Sequence, residues 1–169
     1  MKNLKLPVFG LAIVLIVSSC RKEDVQAPNV SKADASATSV AKVSGWMPLN
    51  NWSSATNDKT TTYFSKLSDT AINADVAKSG LVLVYVKNGS QTQALPFQDQ
   101  ATNTYWYYQV SKGSVRINGD ATSANQNFSG RNIFYFVLTS QELSALESKG
   151  KSKFDLMQLT YDQAAALLK

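Results

Sequence analysis

LVLVYVK, residues 81–87, is the strongest strand signal in the chain, because five aliphatic residues and a tyrosine run without a break. An unbroken apolar run of this length is typical of a strand that is covered on both faces. Asn88-Gly89 follows, and this pair favours a two-residue type I′ hairpin, since both positions need a positive φ. The sequence therefore predicts a buried strand that turns back to pair with residues 91–98, where Pro96 must lie at an edge or a bulge.

Further strand signals alternate with turn residues on both sides of this run. Strands are predicted at residues 60–66, 104–111, 114–118 and 132–138, and the last of them, NIFYFVL, is again apolar throughout. In the strand at 114–118, Val115 and Ile117 are expected to face the core and Arg116 the solvent. The polar stretch 119–130 predicts a surface loop. Short strands joined by such turns indicate an antiparallel meander.

Helix signals are short and lie between or after the strands. Residues 67–80 offer Asp69 or Thr70 as an N-cap and Gly80 as a stop. TSQE at 139–142 and TYDQ at 160–163 are capping boxes, and they predict a helix that ends by residue 150 and a terminal helix. A last short strand is predicted at 154–159. The expected fold class is α+β, mainly antiparallel β, as a sandwich or partial barrel with two to three short helices.

The N-terminus, MKNLKLPVFGLAIVLIVSSC at residues 1–20, predicts an export signal. Its apolar run is far shorter than the roughly 20 residues that span a bilayer as a helix. Val17 to Cys20 resembles the bacterial lipobox, which implies cleavage after residue 19 and a lipid on the thiol of Cys20. Two or three acyl chains would anchor the protein firmly, since each buried methylene contributes about 0.8 kcal/mol. The alternative is an ordinary secretory signal with a chance cysteine.

The segment after Cys20 begins with the charged residues RKED at 21–24. Lys22, Glu23 and Asp24 resemble the lipoprotein export signal of Bacteroidetes-type bacteria, which implies the outer face of the outer membrane; the alternative is simple solvation. Residues 25–45 contain no aromatic side chain and predict a flexible tether, although 38–43 could instead add an edge strand. The predicted organisation is a signal peptide at 1–19, a lipidated cysteine and tether at 20–45, and one globular domain at 46–169.

Composition removes several classes of chemistry. The chain has 17 Lys and Arg against 12 Asp and Glu. The predicted signal holds two of the lysines, so 15 basic and 12 acidic residues remain, a weak net charge of +3. No basic run interleaved with aromatics is present, so we expect no nucleic-acid partner. The chain has no histidine, which removes the commonest general base and most zinc sites. No catalytic residue, metal or cofactor is expected, and the prediction is that the protein is not an enzyme.

Two short motifs are candidate sites. In YWYY, residues 105–108, alternation along a strand places Trp106 and Tyr108 on one face and the other two tyrosines on the opposite face. Trp106 and Tyr108 are the candidate ligand-binding residues, able to stack on a sugar ring or a peptide; the alternative is that both faces are covered. Asp69-Thr70-Ala71 resembles the O-glycosylation motif of exported Bacteroidetes proteins, which makes Thr70 a candidate modification site, unless the motif is only a helix N-cap.

The order of these motifs over residues 46–169 resembles the small β-rich domain of uncharacterised Bacteroidetes lipoproteins. The motifs are GLVLVYVKN, ALPFQ, GSVRING, NIFYFVL and LTYDQAAALL, and the predicted helix at 139–150 departs from the short loop expected there. The resemblance implies a fold and a location in the cell envelope. It implies no activity and no functional residues.

The expected function is a non-catalytic envelope lipoprotein, anchored in the outer membrane and facing the exterior, that acts as a binding or structural module. Its expected partners are the membrane, the lipoprotein processing and export machinery, and an extracellular glycan or protein. The alternative is a glycan-binding accessory lipoprotein of a polysaccharide uptake system.

Overall fold

A computed structural model describes residues 41–123 and 126–169 of the chain. It contains two five-stranded antiparallel sheets and, in these residues, four short helices. The predicted α+β sandwich is confirmed, and neither sheet closes into a barrel. The strands are β1 (Lys42–Val43), β2 (Met47–Pro48), β3 (Ser53–Asn57), β4 (Thr60–Ser68), β5 (Leu81–Asn88), β6 (Gln91–Ala94), β7 (Phe97–Asp99), β8 (Thr104–Ser111), β9 (Ser114–Ala121) and β10 (Arg131–Leu138). The helices are α1 (Ala74–Ser79), α2 (Ser140–Glu147), α3 (Lys153–Met157) and α4 (Tyr161–Leu168).

The two sheets differ in how far apart their strands are in sequence. The first sheet has the order β1-β10-β5-β6, with β2 also paired to β10. The second has the order β3-β4-β9-β8-β7, in which β3-β4 and the run β7-β8-β9 are sequential hairpins. The predicted meander therefore describes most of the second sheet, whereas the pairing of β5 with β10 joins distant segments.

Strands β5 and β10 are buried on both faces, as their unbroken apolar sequences predict. Alternate side chains enter two separate cores. The inter-sheet core lies between the sheets and includes Val82, Val84, Val86, Trp106, Val115, Ile117, Ile133, Tyr135 and Val137. The helix-side core lies under α2, α3 and α4 and includes Leu81, Leu83, Tyr85, Phe134, Phe136, Leu143, Leu156, Ala164 and Leu168. Helices thus cover the outer face of the first sheet.

The hairpin after β5 forms one residue later than predicted. Asn88 pairs with Gln91, so the two-residue loop is Gly89-Ser90 and only Gly89, at φ 59°, has a positive φ. Glycine at the first loop position fits a type II′ turn, and the predicted type I′ turn is wrong. The predicted strand at 91–98 also divides, because Pro96 cannot donate to a ladder. The segment β6 pairs in the first sheet and β7 in the second.

Local hydrogen bonds decide where each helix begins. The capping boxes predicted at Thr139 and Thr160 are both present and start α2 and α4. The N-cap of α1 is Asn73, whose side chain accepts from the Val76 N–H, and not Asp69 or Thr70. The predicted strand at 154–159 is wrong. A third capping box, at Ser152, starts helix α3 there instead.

The folded part begins earlier than the predicted boundary at residue 46. Ala41 is buried, and Lys42–Val43 pairs with β10, so the edge-strand alternative applies to the described end of the predicted tether. A two-residue strand is too short to leave a sequence pattern. The predictions for Cys20 and for residues 22–24 lie outside the described residues.

Candidate ligand-binding face

The two aromatic residues predicted to bind a ligand, Trp106 and Tyr108, face the inter-sheet core, where Trp106 is buried and Tyr108 is partly buried. Trp106 is fully buried in the inter-sheet core, and its ring stacks on Phe97 with centroids 6.2 Å apart and planes 8° from parallel. Tyr108 faces the same core, where its hydroxyl donates to the Val82 carbonyl oxygen at 2.6 Å. Burial raises the pKa of Tyr108, so this hydroxyl stays protonated. The fully buried Trp106 cannot present its ring to a ligand. Tyr108 is partly buried, and ligand binding by Tyr108 stays a prediction.

The neighbouring tyrosines, Tyr105 and Tyr107, take the opposite face of β8 and point away from the core. Their rings lie 5.7 Å apart and 23° from parallel, and Tyr105 keeps 45% of its surface exposed. We call these two residues the tyrosine pair. They occupy successive outward positions on one strand, and their rings stack on one another along the strand direction. Together they form an aromatic patch on the surface of the second sheet, with Tyr105 more exposed than Tyr107.

The tyrosine pair belongs to a larger surface, the outer face of the second sheet, which we call the open face. Strand register places three rows of side chains across β8, β9 and β4. The rows are Tyr105, Asp120 and Thr62; Tyr107, Asn118 and Phe64; and Gln109, Arg116 and Lys66. One row is acidic, the middle row is mainly aromatic, and the last is basic. The buried residues of α2, α3 and α4 belong to the core of the other sheet.

Asp120 is a hydrogen-bond acceptor beside the tyrosine pair. Its Oδ1 accepts from the Thr62 hydroxyl at 2.7 Å and from the Tyr107 hydroxyl at 3.4 Å. Partial burial raises the pKa of Tyr107, and the negative charge of Asp120 raises it further. At neutral pH the Tyr107 hydroxyl is therefore a neutral donor, and these contacts hold its ring in place.

Arg116 contacts Phe64, the aromatic residue at the other end of the middle row. Its guanidinium carbon lies 3.8 Å from the centroid of the Phe64 ring, a close cation–π contact. Its Nε is buried and has no hydrogen-bond partner among the described residues. Asn118 is the cross-strand partner of both Tyr107 and Phe64, and it is 1% exposed. Its amide is therefore buried between these two residues of the middle row.

Thr70 lies on a turn after β4 and is exposed. The adjacent Asp69 accepts hydrogen bonds from the Ala71 N–H at 2.8 Å, the Tyr135 hydroxyl at 2.9 Å and the Lys42 ammonium at 3.2 Å. The Asp69 carboxylate thus orders the turn and does not cap α1. Modification of Thr70 stays a prediction.

Within residues 41–123 and 126–169, no three His, Cys, Asp or Glu side chains come close enough together to hold a metal ion. No helix in the same residues is long and apolar enough to cross a membrane. Comparisons of the chain with protein-family models, curated proteins and solved structures find no match.

Proposed function

We propose that the protein is a non-catalytic module, anchored to the cell envelope by a lipid on Cys20, that binds saccharide chains on its open face. The observation that carries this proposal is the exposed, nearly parallel tyrosine pair beside Asp120. This site replaces the one predicted at Trp106 and Tyr108, while the class of ligand is that of the glycan-binding alternative.

The open face offers both kinds of contact that a sugar ring needs. The C–H face of a sugar ring is apolar and stacks on an aromatic ring, while its hydroxyls require donors and acceptors in the ring plane. The tyrosine pair supplies the aromatic rings, of which Tyr105 keeps 45% of its surface exposed. Asp120 accepts hydrogen bonds, and Arg116 lies in the next row. A surface with these groups suits a ligand that repeats along the strand direction.

The cellular location of the protein is a separate part of the proposal. The lipobox-like sequence before Cys20 and the charged residues 22–24 support anchoring in the outer membrane with the domain facing the exterior. A binding module held there would retain polysaccharide near the cell surface, as an accessory to an uptake system. Its partners would be the membrane, through the N-terminal lipid, and an extracellular glycan.

Affinity electrophoresis tests the ligand class. The full chain, in a detergent without a sugar headgroup, is run in native gels that contain soluble neutral polysaccharides of plant or host origin. We expect at least one polysaccharide to retard the wild type and not the Tyr105→Ala/Tyr107→Ala double variant. The matched control is Phe154→Ala, which removes a 71% exposed aromatic ring on α3. Retardation by no polysaccharide, or equal retardation of wild type and double variant, would overturn the proposal.

A further inference from the structure

One end of the inter-sheet core is polar along β5 and β10, whereas inward residues farther along these two strands, such as Val82, Val84 and Val137, are apolar. Along β10 and β5 the inward pair Ile133 and Val86 is followed by the pair Arg131 and Asn88. Arg131 is only 5% exposed. A charged side chain at a core position is costly unless it is paired. This end of the sandwich therefore departs from the alternating pattern that builds the rest of it.

Arg131 is held firmly on its buried side. Its Nη2 donates to the Asp99 carboxylate at 3.3 Å, and its guanidinium lies 4.7 Å from the Trp106 ring centroid and 5.0 Å from that of Phe128. Burial lowers the pKa of Arg131, while the neighbouring Asp99 opposes that shift. The Asp99 side chain also accepts from the Ala101 N–H at 3.0 Å. The pair is therefore a fixed unit with no net charge that offers both donors and acceptors.

This ion pair lies in the wall of a cavity of about 310 Å³, the seam pocket, between β6 of the first sheet and β7 of the second. The amide side chains of Asn88, Gln91 and Gln93 line it from the first sheet, and Phe97 lines it from the second. Both β6 and β7 are edge strands, so the pocket opens where no neighbouring strand covers it.

We propose that the seam pocket binds a single neutral saccharide unit. Asn and Gln amides and the Arg131–Asp99 pair all present planar groups with donors and acceptors, which suits neighbouring hydroxyls on one ring. Phe97 supplies an apolar wall for the C–H face of that ring. An anionic ligand is disfavoured because Asp99 already compensates the guanidinium. An apolar ligand would leave the amides without partners.

The inference rests on the proposed function for the class of ligand, but the site is a different one. Gln98 lies next to both sites, because it lines the seam pocket and is the cross-strand partner of Tyr105 on the open face. Only the edge strand β7 separates the open face from the pocket. A saccharide chain that lies on the tyrosine pair can pass over β7 and place its terminal unit in the pocket.

Calorimetric titration of the full chain with glucose, galactose, mannose and N-acetylglucosamine, again without a glycosidic detergent, tests the pocket. We expect saturable binding of at least one of these monosaccharides, together with a change in tryptophan fluorescence, since Phe97 stacks on Trp106. Gln93→Leu should weaken that binding about tenfold or more, by removing one hydrogen-bonding side chain from the wall. Thr92→Leu is the matched control, because Thr92 lies on the same strand and does not line the pocket.

The outcomes separate the two sites. Monosaccharide binding that survives in the Tyr105→Ala/Tyr107→Ala variant and weakens in Gln93→Leu supports the pocket, even if no polysaccharide binds the open face. The inference is overturned if none of the four monosaccharides binds. It is also overturned if Gln93→Leu binds like Thr92→Leu, or if the tyrosine variant loses monosaccharide binding.

Discussion

Replacing Asp69 with asparagine should destabilise the protein at neutral pH and should do so less at low pH. Asp69 joins three segments, because its carboxylate accepts from the Ala71 N–H, from the Tyr135 hydroxyl of β10 and from the Lys42 ammonium of β1. Its side chain is 13% exposed. Partial burial raises the pKa of Asp69, but these three hydrogen bonds together lower it below its ordinary value of 3.8.

The expected loss follows from the kinds of hydrogen bond that change. A hydrogen bond to a charged group contributes about 1.5–3 kcal/mol and a neutral one about 1 kcal/mol, so Asp69→Asn should cost about 1–2 kcal/mol at pH 7. Because the folded-state pKa is depressed, this stability is fully present above the unfolded-state value near 3.9. It is lost as the pH falls through the folded-state pKa. The difference between the free energies of unfolding of wild type and variant should therefore narrow as the pH falls below about 4.

Urea unfolding at several pH values measures this difference directly. Tyr135→Phe is the partner variant, and a double-mutant cycle with Asp69→Asn should show a positive coupling energy, since the two side chains share one hydrogen bond. A stability difference that is absent at pH 7, or one that stays constant down to pH 2, would refute the role given to the carboxylate.

Other substitutions test the core packing, a helix cap and the predicted export signal. Trp106→Ala should cost about 3–5 kcal/mol in urea unfolding because it empties a fully buried site, whereas Tyr105→Ala on the exposed side of the same strand should cost less than about 1 kcal/mol. Asn73→Ala should lower the stability by about 1 kcal/mol through loss of the α1 cap, an effect that Asn73→Ser should largely restore. Alanine at residues 22–24 should abolish antibody labelling of intact cells while the protein stays in the membrane fraction; labelling equal to wild type would contradict the export signal.

The sequence contains enough information to predict that Trp106 and Tyr108 occupy the core-facing side of their strand. Val115 and Ile117 are predicted to face the core, and Lys112-Gly113 marks the turn before them. A two-residue loop pairs Val110 with Val115 and Tyr108 with Ile117, as the structure confirms. Cross-strand partners share one face of a sheet, so Tyr108 must face the core with Ile117. The information lay in the hairpin register and not in the YWYY motif itself.

Other features had no local signal in the sequence. The pairing of β5 with β10 brings together residues more than 40 positions apart, and only the matching apolar runs suggest it. The same non-local pairing places Arg131 beside Asn88, which creates the polar end of the inter-sheet core. Asp120 and Phe64 reach the open face through the register of β4 with β9. The candidate sites are therefore products of topology, whereas the strands and capping boxes follow from short sequence patterns.

The two outer faces of the sandwich differ in a way that supports the proposal of binding on one of them. On the first sheet the outward side chains include Leu81, Leu83 and Tyr85, which require the cover that α2, α3 and α4 provide. On the second sheet the outward side chains hold one another in place, Tyr107 through Asp120 and Arg116 through Phe64. A ligand on that face meets side chains that are already ordered, so little conformational entropy is lost on binding. The open face is a preformed surface, and the helices do not have to move to expose it.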